Sequence, residues 1–133
     1  MNPEETFAKG VECREAGNEA FKKNNYQEAL SQYYHALLHL RTVGGLQPEN
    51  NLKERSNEQL VKIYNNMAAV LAKQEKWSRV LDNATKAREI DDSNLKSKFR
   101  QGQAHGRLGN MEKAKELLTE ILKKDPKGKF LYI

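Results

Sequence analysis

The sequence predicts an all-α protein built from repeated helical pairs, and three observations carry that prediction. The chain matches itself at an offset of 34 residues: Asn66 falls on Arg100, Ala68 on Gly102, Leu71 on His105, Val80 on Ala114, Ala84 on Leu118 and Asp92 on Pro126. That period belongs to a two-helix repeat. Apolar and small residues recur at the helical spacing of about 3.6. Charged residues make up 31% of the chain against 38% hydrophobic, with only 3 prolines, as expected of amphipathic helices with solvated outer faces. At 133 residues the chain has the size of one domain.

Taken in order, "ECREAGNEAFKKNNYQEALSQYYHAL" reads as a helix, a short turn at "KKNNY" and a second helix. Gly17, Ala20 and Phe21 face Ala29, Tyr33, Ala36 and Leu37 across the seam, and the small Gly17 and Ala29 let the backbones approach. This unit fits the same template as the later ones but lies 51 residues upstream of its match, so extra length separates the first two repeats. "RTVGGLQPENNLKERSN" holds it, with Gly44-Gly45 and Pro48 breaking the pattern and the flanking helices free to run longer into the joint. Ser56 or Asn57 is expected to cap the next helix, Ser56 with Gln59 as a capping box. Asn110 and the stretch Asp92 to Asn94 are further start signals, and Asp125-Pro126 is a stop. Six helices follow, at roughly 5–23, 27–41, 58–74, 77–90, 95–108 and 111–124. "KFLYI" after Gly128 is expected to begin a seventh, capping helix.

The period, the Gly and Ala positions, the aromatic residues Tyr26 and Trp77 before second helices and the terminal Pro126 together resemble the tetratricopeptide repeat family. The resemblance covers almost the whole chain. It implies a right-handed helical solenoid of three repeats, at about 7–41, 58–92 and 95–126, with the extended joint at about 42–57 and a possible capping segment at 127–133. Val80 and Leu118 are larger than the pattern expects, and Met111 replaces an aromatic. "YNNMAAVLAK" and "DDSNLKSKFRQGQA" look most like the tetratricopeptide repeat protein 9 group; immunophilin co-chaperones share a long joint, but the residues before the first repeat leave no room for a prolyl isomerase domain.

In this family the first helices line a concave groove, and co-chaperones that hold the tails of heat-shock proteins 90 and 70 carry a Lys, two Asn, a Lys and an Arg there, the carboxylate clamp. The resemblance places Arg14 at the first Lys position, Asn18 and Asn66 at the Asn positions, Lys96 at the second Lys and Arg100 at the Arg. Arg14/Asn18 and Lys96/Arg100 are each four apart and share a helical face. A peptide ending in Asp presents two carboxylates, which need several cations and neutral amide donors to replace lost water. Arg14 keeps the charge of the expected Lys but changes its reach and shape. Ala69, Lys73 and Phe99 are expected to line the groove beyond the clamp.

Other chemistry has weak support. His35 and His39 are four apart as helical metal ligands are, but "HALLH" lacks a glutamate base and a third ligand, so neither a metal nor a cofactor is expected. His105 occupies a packing position, and the single Cys13 has no His/Asn partner pattern and cannot form an internal disulfide. No stretch approaches a membrane span, and "MNPEETF" lacks a signal-peptide core, so a cytoplasmic location is expected. The net charge of +5 admits RNA as a partner, but the basic residues are interspersed with acidic ones. The expected function is a non-enzymatic adaptor, a co-chaperone holding acidic C-terminal peptides of heat-shock chaperones. A scaffold with an idle clamp is the alternative, and an RNA-binding basic domain a weaker one.

Overall fold

A computed structural model describes residues 2–44 and 51–132. Among these the chain forms six α-helices: α1 (Pro3–Lys22), α2 (Tyr26–Gly44), α3 (Leu52–Lys73), α4 (Trp77–Ile90), α5 (Leu95–Arg107) and α6 (Met111–Lys124), followed by a 3-10 turn at Lys129–Tyr132. Each helix packs on the next, and α3 also touches both α1 and α5, which makes these three a continuous inner layer. The core runs along the stack from Ala20, Tyr33 and Leu40 through Ile63, Met67 and Leu71 to Val80, Ala87 and Ala104.

Repetition is visible in the backbone itself. The turn inside each helical pair contains one residue in the left-handed region: Asn24 (φ 60), Glu75 (φ 58) and Gly109 (φ 91). Asparagine and glycine adopt this conformation readily, whereas Glu75 does so against the clash of its Cβ with the backbone. Helix starts follow the expected chemistry at three places. Asn2 accepts from the Glu5 amide at 2.8 Å, Asn94 from the Ser97 amide at 3.0 Å and Asn110 from the Lys113 amide at 3.4 Å.

The joint departs from expectation. α2 continues to Gly44 and α3 starts at Leu52, so helix takes most of the span expected as joint, while the expected break at Gly45 and Pro48 falls in 45–50, outside the described residues. Ser56, read as a cap, is fully buried inside α3, and Asn51 (φ 58) precedes the helix instead. The reason is packing against α1. Val43 and Leu52 are buried, and Arg55 lies 4.5 Å from the Phe7 ring centroid while pairing with Glu4 at 2.9 Å. Burying Leu52 alone is worth about 2 kcal/mol, which offsets the loss of a polar cap at Ser56.

At the other end, the expected capping helix is a single 3-10 turn. Gly128 (φ 66) reverses the chain, and the Phe130 amide then donates to Asp125 Oδ2 at 2.8 Å. Phe130 is thereby folded back onto Phe99 of α5, edge to face with 5.9 Å between centroids.

Candidate functional site

The inner layer of α1, α3 and α5 carries all five sequence-predicted clamp residues, and close packing behind that layer sets their positions. Gly17 of α1 lies against the Tyr33 ring so tightly that a Cβ there would meet Cε1 at 2.6 Å. The missing side chain lets Tyr33 pass, and its hydroxyl donates to Asn18 Oδ1 at 2.6 Å. Asn66 Nδ2 donates to the same oxygen at 3.0 Å, joining α1 to α3. With its carbonyl held by two donors, Asn18 keeps its amide N–H groups as its remaining hydrogen-bonding capacity. Burial pushes the Tyr33 hydroxyl up to about 12, against the opposing influence of the Asn66 amide and the Arg14 guanidinium, so it stays a neutral donor at neutral pH.

Arg14 is tied from α1 to α3 by a second bridge, its Nε donating to Gln59 Oε1 at 2.7 Å. Gln59, expected in a capping box, instead orients a clamp candidate. α5 is fixed to α3 through a buried polar knot: Ser97 Oγ donates to Asn65 Oδ1 at 2.8 Å, and Asn65 Nδ2 donates to Asn94 Oδ1 at 3.0 Å. Neighbouring residues of α3 therefore hold the two flanking helices, Asn66 on one side and Asn65 on the other. The knot sets the start of α5, whose first turn presents Lys96. A cation in the first turn adds to the positive end of the helix dipole, an arrangement that is poor for helix stability and good for attracting an anion.

Two adjoining cavities lie over this layer. The larger, about 500 Å³, is lined by Arg14, Lys62, Asn66 and Lys96 among others. The smaller, about 160 Å³, is lined by Asn66, Ala69, Lys96, Phe99, Arg100 and Phe130 among others. Asn66 and Lys96 belong to both, and no acidic side chain lines either among the described residues. Arg100 is substantially buried, which lowers its pKa; its Nη1 donates to Gln103 Oε1 at 2.9 Å and its guanidinium lies 5.6 Å from the Phe99 centroid. A guanidinium remains charged through such a shift, so a cation is held in partly desolvated surroundings.

The structure thus brings Arg14, Asn66, Lys96 and Arg100 to these cavities and Asn18 into hydrogen bond with Asn66. Ala69 and Phe99 line the smaller cavity as expected. Lys73 does not: it is exposed in the last turn of α3 and lines neither. Sequence reasoning missed Lys62 and Phe130. Lys62 was discoverable, since it precedes Asn66 by four residues just as Arg14 precedes Asn18 and Lys96 precedes Arg100. Phe130 was not, because its place depends on the reversal at Gly128.

The competing candidates stay apart from this site. His35 Nδ1 faces Ser31 O at 2.9 Å and His39 Nδ1 faces His35 O at 2.8 Å, both along α2. Among the described residues no group of three His, Cys, Asp or Glu side chains is arranged to hold a metal ion, and no helix is long and apolar enough to cross a membrane. Cys13 is half-buried, and its thiol pKa is raised by burial and then by Glu12, away from reactive thiolate.

No known family profile matches the chain. The human peptidyl-prolyl cis-trans isomerase FKBP4 is 29% identical over 133 residues, covering 97% of this chain and 28% of that protein. The chain therefore spans about a quarter of the length of that relative. Among solved structures, the C-terminal TPR-containing domain of a Plasmodium falciparum FK506-binding protein is 27% identical, with a TM-score of 0.85 over 96% of this chain and 84% of that one. The first TPR of Spaghetti (RPAP3), solved bound to the HSP90 peptide SRMEEVD, is 20% identical with a TM-score of 0.71 over 91% of this chain and 82% of that one. The fold is that of a tetratricopeptide repeat domain, an all-α helical solenoid.

Proposed function

We propose that this domain is a non-enzymatic adaptor that grips the acidic C-terminal tail of a heat-shock chaperone, of the 90 or 70 class, in the groove over α1, α3 and α5. The observation that carries the reading is the pair of cavities joined through Asn66 and Lys96 and lined by cations and amides with no acidic side chain among the described residues. The peptide found with Spaghetti ends in Asp, so it offers the two carboxylates such a set would neutralise. In this reading Arg14, Lys96 and Arg100 supply countercharge, Asn18 and Asn66 supply amide donors, and Lys62 extends the cationic wall toward the acidic residues upstream. Ala69 and Phe99 form the apolar side of the smaller cavity. Membership of the tetratricopeptide repeat protein 9 group and a cytoplasmic site of action belong to the same proposal.

Calorimetric titration with SRMEEVD tests it. Lys96→Ala and Arg100→Ala are each expected to weaken binding by about 2 kcal/mol, roughly 30-fold, because each leaves a carboxylate poorly compensated. C-terminal amidation of the peptide should abolish most of the affinity. Exposed Lys113 of α6 serves as the control, and Lys113→Ala should bind as the wild type does. Undiminished binding by both Lys96→Ala and Arg100→Ala, or by the amidated peptide, would falsify the clamp.

A further inference from the structure

A second groove lies on the outer side, between α2 and α4. These helices make no contact comparable to those within the inner layer, and α3 floors the valley between them. The core side of α2 is already supplied by Ala29, Leu30, Tyr33, Ala36, Leu37 and Leu40. Tyr34 and Leu38 fall outside it, 45% and 67% exposed. With Arg41 they form a stripe along one rim, at the spacing of one helical face. Arg79, Asp82 and Lys86 of α4 form the opposite stripe at similar spacing. Between them lies a cavity of about 340 Å³ whose floor includes Tyr64 and Met67. Arg79 Nη2 donates to the Tyr34 hydroxyl at 2.8 Å, tying the rims together, and a second cavity of about 480 Å³ shares both residues and continues past His35 and Lys76. Lys86 Nζ lies 5.9 Å from the Tyr64 ring centroid.

We propose that this outer valley is a second protein-docking site, which takes an acidic polypeptide segment carrying large apolar side chains. Charge decides the class of partner: among the described lining residues Arg41, Arg79, Lys86 and Lys76 face a single carboxylate, that of Asp82. The apolar floor and the exposed Tyr34 and Leu38 call for apolar anchors, which pure polyanions lack. Nucleic acid fits less well, because Asp82 stands between Arg79 and Lys86 and would oppose a phosphate track, and Lys86 covers the Tyr64 ring against stacking. The valley shares no lining residue with the cavities that the clamp candidates line, so both can be occupied at once.

The probe is a short fluorescent peptide, rich in Glu and Asp, with a Leu and a Phe four positions apart and an amidated C-terminus that denies it a terminal carboxylate. Amide chemical-shift changes on titration should centre on α2 and α4. Arg79→Glu/Lys86→Glu should weaken binding about tenfold or more, and Leu38→Ala, which removes an exposed side chain outside the core, should weaken it several-fold with the circular dichroism spectrum unchanged. Lys96→Ala and saturation with SRMEEVD should leave probe binding intact. Shifts confined to α1 and α5, equal binding of a probe with its Leu and Phe replaced by Ser, or tighter binding of a short RNA that displaces the probe would each overturn the proposal.

Discussion

At the scale of single residues, the position of Asn18 depends on what lies behind it. Tyr33 is fully buried, and its hydroxyl is one of two donors that hold the Asn18 carbonyl. Tyr33→Phe keeps the ring against Gly17 and removes only that hydroxyl. Its expected effect is a loss of about 1 kcal/mol of stability, together with weaker SRMEEVD binding as Asn18 becomes free to flip. Urea unfolding and calorimetry on the same variant separate the two effects. The raised Tyr33 pKa has a definite sign: the folded state holds the phenolic proton more tightly than the unfolded chain. Stability from this group is therefore complete below about 10 and is lost as pH rises from there toward about 12, a loss that Tyr33→Phe should lack. The clamp candidates were legible because residue type and spacing coincide on successive first helices. Gln59 was misread, because a side chain three residues after a serine has the same pattern whether it closes a capping box or reaches across to Arg14.

Among the elements, the tight turns and the C-terminal segment are the places where sequence and backbone disagree. Glu75 occupies the left-handed position that Asn24 and Gly109 fill in the other two turns. Glu75→Gly should accordingly raise stability by up to about 1 kcal/mol, since strain relief outweighs the added freedom of the unfolded chain. A lower thermal midpoint for this variant would show that the glutamate is held there by something other than turn geometry. The C-terminal turn is governed by Asp125, whose pKa is lowered by the Phe130 amide first and the Lys129 amide next. A lowered carboxylate pKa means the turn is held in place above the ordinary aspartate range near 3.8 and released as pH falls below it. Aromatic resonances of Phe99 and Phe130 should therefore shift together at acid pH, and Asp125→Ala should produce the same shifts at neutral pH. Helices α4 to α6 were legible almost to the residue, because their apolar stripes are clear and Asn94 and Asn110 cap α5 and α6. The α2 and α3 extensions were not, since Leu52 and Val43 are apolar residues beside strong turn signals and only the folded stack buries them.

For the whole molecule, the repeat period made the architecture legible, while the outer valley was hidden because its two stripes come from different repeats and acquire meaning only when α2 and α4 face each other. A solenoid holds itself together mainly through nearest neighbours, so its ends can open while its middle stays folded. The inner layer moderates this through Asn66 and Asn65, consecutive residues that fasten α3 to α1 and to α5. A peptide gripped by Arg14, Lys96 and Arg100 would span all three helices. Hydrogen exchange should then show slowed opening in α1 and α5 together on addition of SRMEEVD, and protection confined to α5 would indicate contact with one helix only. Mechanically, the stack is a short spring whose coils are pinned at the middle by two adjacent asparagines. A tail bound as proposed would act as a brace along its inner side, and what it would pass to the outer face is stiffness.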